Sequence, residues 1–223
     1  PRFRARDLQP VAAEVLIRWN HPQLGPVSPA EFIPVFERTA LMHGITDWVV
    51  DRPLDQLARW HADGLPLNLS INYSARDMAR EGAAERLIAG IDRRGLACTQ
   101  VEVEITESQW LRADSQQGLQ LKRMADAGIR VAVDDFGSGY SNFGYLTELP
   151  ISTLKLDKSL IDRLCLDNRS SVKVEAIIGL AHRLGYSVVA EGAESADQVS
   201  RLRALGCDEI QGFALARPMD PDQ

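Results

Sequence analysis

Short aliphatic runs recur along the chain at intervals that helical patterns fill. Residues 12–19, 67–72, 101–105, 129–133, 153–156, 187–190 and 209–213 read as strands, each brief and rich in branched side chains. Between them the apolar spacing changes period. Ile177, Leu180, Ala181 and Leu184 fall at i, i+3, i+4 and i+7, and Val199, Leu202 and Leu205 repeat every three residues, as helices with one buried face require. Gly64, Gly95, Gly128, Gly185 and Gly206 each close a helical stretch just before a strand, where glycine suits the left-handed C′ position. One βα unit lies between Gly64 and Gly95 and another between Gly95 and Gly128. Two lie between Gly128 and Gly185, the first ended by Pro150 after a short helix. Such alternation predicts a parallel sheet, and this many units point to a closed TIM-like (β/α)8 barrel. The competing fold is an open dinucleotide-binding sheet, but no GxGxxG follows the first strand.

Successive strand residues face opposite ways, so parity divides each strand into two sets. Val15, Ile17 and Trp19 oppose Glu14, Leu16 and Arg18; Val101, Val103 and Ile105 oppose Glu102, Glu104 and Thr106; Leu154 and Leu156 oppose Lys155 and Asp157. The apolar sets suit packing against helices, which leaves the polar sets for the barrel axis. Polar residues gather at the C-terminal ends of strands: Asn72, Glu104 and Glu107, Asp134 and Asp135, Lys155 and Asp157, Glu191 and Glu194, and Gln211. Barrel active sites are built on that face. Any one of these acids serves equally well as a helix cap or a surface ion pair, and Asp135-Phe136-Gly137-Ser138-Gly139 is also good turn chemistry. Together they would repel one another, and divalent cations would remove that penalty.

Every candidate ligand atom is an oxygen, and none of the four histidines or three cysteines sits at these strand ends. Hard ions such as Mg²⁺ or Mn²⁺ are therefore favoured over zinc. Neighbouring Asp134 and Asp135 suit two metals serving an in-line displacement at phosphorus.

Composition adds limits. A chain of 223 residues is compatible with one α/β barrel. Cys98, Cys165 and Cys207 show no CxxC pairing, which fits a reducing compartment, and a cytoplasmic setting is expected. With 25 Lys and Arg against 31 Asp and Glu, the net charge of −6 disfavours a polyanion-binding surface. An anionic ligand would need positive charge from elsewhere, and metal ions at the barrel mouth are one source.

The residues resemble a known family, the EAL-domain cyclic-di-GMP phosphodiesterases. Glu14-Val15-Leu16-Ile17-Arg18-Trp19 is similar to the signature that names it, with valine in place of the middle alanine. The other motifs follow in family order: Leu69-Ser70-Ile71-Asn72, Glu104-Ile105-Thr106-Glu107, Asp134 through Ser141, Lys155-Leu156-Asp157, Glu191-Gly192-Ala193-Glu194, and Gln211-Gly212-Phe213 with Arg217-Pro218 after it. The resemblance spans essentially the whole chain, residues 1–223, as a single domain. Pro1 stands where the family's Tyr-Gln-Pro triplet ends. Residues 1–6 are therefore expected to be the remnant of a truncated first strand, in a domain cut from a longer signalling protein.

The resemblance implies roles residue by residue. Glu14, Asn72, Glu104 and Asp134 would hold one Mg²⁺ or Mn²⁺, and Asp134, Asp135 and Glu191 a second. Lys155 would position the water nucleophile, Glu191 would join it in the catalytic set, and Glu107 would anchor a loop over residues 135–142. Arg18 would neutralise a phosphate oxygen of cyclic-di-GMP, in a geometry lysine does not reproduce. Leu16, Asn72, Asp157, Gln211 and Phe213 complete the expected substrate contacts. The implied reaction is hydrolysis of cyclic-di-GMP to linear pGpG, and the resemblance further implies a homodimer under an upstream sensory or regulatory domain. Val15, Asn142 and Ala193 depart from the family pattern without removing a ligand. Two other readings stay open on the residues alone: a cyclic-di-GMP receptor without turnover, and an unrelated Mg²⁺-dependent barrel enzyme of the enolase type.

Overall fold

Eight strands close into a barrel in the order β1-β10-β9-β8-β7-β6-β5-β2, with β1 returning to β2. The computed structural model describes residues 1–36, 41–106, 115–138 and 148–221, with side chains at all of these except 41–47. The barrel strands are β1 (Arg2–Arg4), β2 (Pro10–Glu14), β5 (Asn68–Asn72), β6 (Val101–Thr106), β7 (Arg130–Phe136), β8 (Thr153–Leu156), β9 (Ser187–Ala190) and β10 (Glu209–Ile210). A two-stranded hairpin, β3 (Trp19–His21) with β4 (Gly25–Val27), stands apart from it. The helices are α1 (Pro29–Phe36), α2 (Leu41–Ala62), α3 (Ala75–Met78), α4 (Ala83–Asp92), α5 (Gln116–Asp126), α6 (Lys158–Asp162), α7 (Asn168–Arg183) and α8 (Ala196–Ala204). Among the described residues, no helix is long and apolar enough to cross a membrane.

The barrel is not wholly parallel. β1 runs antiparallel to both β2 and β10, while the remaining neighbours run parallel. The physical reason is the connection: only five residues separate β1 from β2, enough for a hairpin and too few for the crossover that a parallel pair requires.

Two expected strands are shorter than the sequence pattern implies. The run over 12–19 leaves the barrel after Glu14. There β2 has reached Ser70 of β5 in register, and Val15 adds one further bond, N–H to the Ser70 carbonyl at 2.9 Å. Leu16 to Arg18 have no strand beside them among the described residues, yet exposure still alternates, with Val15, Ile17 and Trp19 partly buried and Leu16 and Arg18 exposed, and Trp19 begins the separate hairpin. The run over 209–213 likewise ends at Ile210, above which Gly212 packs on Ala193. By contrast β7 runs past Val133 to Phe136, taking Asp134 and Asp135 into the strand. The short helix expected before Pro150 falls on residues 139–147, outside the described residues.

The glycine stops behave as expected: Gly64, Gly95, Gly128, Gly185 and Gly206 all have positive φ, from 67° to 98°. In α7 the buried face is Val174, Ile177, Ile178 and Ala181, a helical stripe displaced from the expected one, and Leu180 is exposed. The apolar core lies between strands and helices, from Ile71, Val103, Val131, Leu154 and Val188 outward to Leu54, Leu87, Leu121, Ile178 and Leu202. The barrel axis is polar instead. Arg2, Ser70, Glu102, Glu104, Thr153 and Lys155 are all buried there, so the inward parity of Glu102, Glu104 and Lys155 is observed.

Candidate active site

Lys155 organises the mouth of the barrel. It lies on β8, whose apolar residues Leu154 and Leu156 fill the core on the other face, so the ammonium is driven toward the axis with no solvent exposure. Its Nζ stands 2.7 Å from Glu104 Oε2, 2.7 Å from Glu191 Oε1, 3.1 Å from Asp134 Oδ1 and 3.9 Å from Glu14 Oε2. Strands β2, β6 and β7 and the residue just past β9 thus send one carboxylate each to a single cation.

Glu14 is held by two amides. Asn72 Nδ2 donates to its Oε1 at 3.1 Å, and Gln211 Nε2 donates to its Oε2 at 2.7 Å. Gln211 reaches that position because the Gly212 backbone lies against Ala193: a Cβ at Gly212 would come within 2.2 Å of the Ala193 carbonyl oxygen.

Asp134 and Asp135 sit at an irregularity where the β7–β8 register shifts between Val133 and Phe136. Asp135 has φ of 56°, a left-handed conformation that strand residues avoid, and its N–H donates to Asp134 Oδ1 at 3.0 Å. The inversion lets two consecutive carboxylates serve one site, since regular pleating would send them to opposite faces. Carboxylate oxygens of Asp134, Asp135 and Glu191 lie within 4.8 Å of one another.

Burial first, and crowding of like charges second, favour the neutral form of these carboxyls. Burial raises Glu104 to about 7, with Glu14 and Asp134 adding to the shift and Lys155 opposing it. Burial likewise raises Glu191 to about 8 against the pull of Lys155, with Asp134 and Glu14 adding to it. Asp135 is raised by desolvation and by Asp134. For Lys155 burial acts downward, yet the surrounding carboxylates outweigh it and hold the ammonium well above its ordinary value.

This donor set fits hard divalent cations. It is all oxygen, it is rich in carboxylate, and Glu104 Oε1 is buried without a hydrogen-bond partner among the described residues. Glu14, Asn72, Glu104, Asp134, Asp135, Glu191, Lys155 and Gln211 come together at one mouth. Other expected site residues are placed differently. Asp157 caps α6, accepting the Ser159 N–H at 3.0 Å, and so lies beyond the strand whose inward face it was expected to extend. Arg18 is exposed and donates to the Ile17 carbonyl at 2.9 Å. Leu16 and Phe213 are exposed, and the Arg217 guanidinium lies 4.6 Å from the Phe213 ring centroid. Glu107 and residues 139–142 of the expected loop lie outside the described residues.

One participant escapes the sequence patterns. Arg2, on the strand read only as a remnant, is fully buried beneath Glu104. The inward parity of Glu102 was a usable signal, because a buried carboxylate on the axis requires a cation.

The sequence model described as "EAL domain" matches residues 1–218. A Pseudomonas aeruginosa protein named "Cyclic di-GMP phosphodiesterase PA2567" is 46% identical over 210 residues, 94% of this chain and 36% of the relative. "Bifunctional diguanylate cyclase/cyclic di-GMP phosphodiesterase MucR" of the same organism is 36% identical over the whole chain and 33% of its own length. The chain thus spans about a third of these curated relatives. A solved structure described as "PaMucR Phosphodiesterase, c-di-GMP complex" superposes with a TM-score of 0.92 at 35% identity, covering all of this chain and 91% of the other.

Proposed function

Because the chain belongs to the EAL domain family, we propose that it is a metal-dependent phosphodiesterase that hydrolyses cyclic di-GMP to linear pGpG. The observation that carries this reading is the convergence of Glu14, Glu104, Asp134 and Glu191 on Lys155 at the barrel mouth. The names of the relatives, and the cyclic di-GMP complex of a similar fold, support the substrate.

Glu14, Asn72, Glu104 and Asp134 would hold one Mg²⁺ or Mn²⁺, and Asp134, Asp135 and Glu191 a second. Such ions, when bound, acidify water and neutralise phosphate oxygens. The chain's own residues supply orientation. Asn72 and Gln211 fix both oxygens of Glu14, so that carboxylate loses little freedom when it binds a cation. Lys155 orients the attacking water and offers a fixed positive charge where negative charge develops at phosphorus. Arg18, at the exposed rim, engages a phosphate oxygen with its planar fork. Leu16 and Phe213 present apolar surface to the guanine bases, and Gln211 and Asp157 polar edges. Glu107 is proposed as the anchor of the loop over residues 135–142. In the full protein the domain works as a cytoplasmic homodimer under an upstream sensory or regulatory domain.

The test is chromatography of cyclic di-GMP incubated with this domain and Mg²⁺ or Mn²⁺. pGpG accumulates, and EDTA abolishes it. Nucleotide bound but unchanged under both metals would overturn the reading in favour of a receptor.

A further inference from the structure

The barrel floor carries a second charged cluster that the proposed reaction does not use. Arg2 of β1 points along the axis with no solvent exposure. Its Nη1 pairs with Glu102 Oε1 and lies 3.9 Å from Glu104 Oε1, while its Nε stands 3.1 Å from Glu209 Oε2. Glu102 also accepts the Thr153 hydroxyl at 2.7 Å and has Arg130 Nε at 3.8 Å.

Glu102 and Glu104 are two residues apart on the inner face of β6, about 7 Å along the strand. Arg2 lies between these layers. Glu104 therefore has a cation on two sides, Lys155 hydrogen-bonded to Oε2 and the Arg2 guanidinium 3.9 Å from Oε1. Glu104 Oε1 and Arg2 Nη2 are both buried without a hydrogen-bond partner among the described residues. With both groups shielded from solvent, the positive charge 3.9 Å from Oε1 favours the carboxylate orientation that keeps this oxygen toward the guanidinium.

We propose that Arg2 is a positioning residue of the metal centre, setting the orientation of Glu104 from the barrel floor while Glu102 and Glu209 fix the guanidinium. The proposal rests on the metal-dependent reading above. A planar guanidinium can meet Glu102, Glu104 and Glu209 at once, whereas an ammonium is a single point of charge. It also gives the antiparallel β1 a function beyond closing the barrel, since it delivers a side chain that reaches β6 and β10 together.

The test measures Mn²⁺ binding directly, from the electron paramagnetic resonance signal of the free ion, beside hydrolysis and thermal melting. R2M alone leaves Glu102 buried without its main cation and is expected to unfold, so the informative variants are R2M/E102Q and R2K. The double variant is expected to melt cooperatively and to bind Mn²⁺ at least about 10-fold more weakly, the usual cost of losing a residue that orients a metal ligand. R2K, which keeps the charge but not the planar fork, is expected to weaken Mn²⁺ measurably, by less than the double variant does, while leaving KM for cyclic di-GMP unchanged. R4M, whose residue faces Asp7 at the surface, serves as the control and keeps the parent affinity. Folded R2M/E102Q, or R2K should the double variant not fold, with parental Mn²⁺ affinity would overturn the proposal. Absent hydrolysis in the parent would overturn the phosphodiesterase reading instead, and a weakened Mn²⁺ affinity would then still support the role of Arg2.

Discussion

Lys155 Nζ and Glu104 Oε2 meet at 2.7 Å with both side chains wholly shielded from solvent, and this pair joins the β6 and β8 sides of the barrel at the level of the proposed metal centre. Breaking a buried ion pair by removing one partner typically costs about 3–5 kcal/mol. K155M is expected to lose about that much stability in EDTA, read from urea unfolding, because four carboxylates then face one another. Hydrolysis should fall by roughly 10²-fold or more, as it does when a transition-state charge partner is lost. A variant with parental stability in EDTA would show that the ammonium is not the charge balance of the mouth.

Glu14 tests the ligand set from the other side of the barrel. E14A removes one carboxylate and leaves the Asn72 and Gln211 amides without their shared acceptor. A direct ligand should cost more than the roughly 10–100-fold lost with an outer partner. Expected is undetectable hydrolysis at Mg²⁺ concentrations that saturate the parent, with the fold retained by circular dichroism.

The raised carboxyls make stability depend on pH with a definite sign. In the folded chain burial pushes the Glu104 carboxyl up to about 7 and the Glu191 carboxyl up to about 8, against 4.5 ordinarily. Between about 4.5 and 8 the folded state therefore holds more protons than the unfolded one, and the stability these groups contribute falls as pH rises. Melting in EDTA is expected to drop from pH 5 to pH 8. Mg²⁺ or Mn²⁺ should flatten the slope, because a bound cation takes the place of the protons. A metal-free melting temperature that rises over this interval would contradict the assignment.

Asp135 sets stability against activity. Its left-handed φ of 56° carries a cost that glycine would not meet, and its carboxyl crowds Asp134. D135G is expected to be at least as stable as the parent and to lose metal-dependent hydrolysis. Thermal melting and the chromatographic assay together decide it.

Gly212 tests the support behind Gln211. An alanine Cβ would lie 2.2 Å from the Ala193 oxygen and 2.3 Å from its nitrogen, both backbone atoms that cannot rotate away. G212A is expected to destabilise by about 1–3 kcal/mol and to raise the Mg²⁺ concentration needed for half-maximal hydrolysis. An unchanged denaturation midpoint would show that the segment moves freely.

The repeated βα rhythm, the glycine-stopped helices, the inward parity of Glu102, Glu104 and Lys155, and the gathering of oxygen ligands at strand ends are all legible in the amino-acid order. Those features depend on local periodicity and on residue type, which the chain carries openly. Where strands stop depends on their neighbours in the fold, because a strand persists only while it is paired: residues 12–19 look continuous, yet the chain leaves the barrel after Glu14 once pairing with β5 ends. The assembled fold likewise sets the direction of β1, the left-handed turn at Asp135, the capping duty of Asp157, and the burial of Arg2 beside Glu104. The burial of Arg2 is a relation between residues distant in the chain, the turn at Asp135 a balance of local strain against assembled charge, and the direction of β1 and the cap at Asp157 follow from where a strand ends, none of which periodicity encodes.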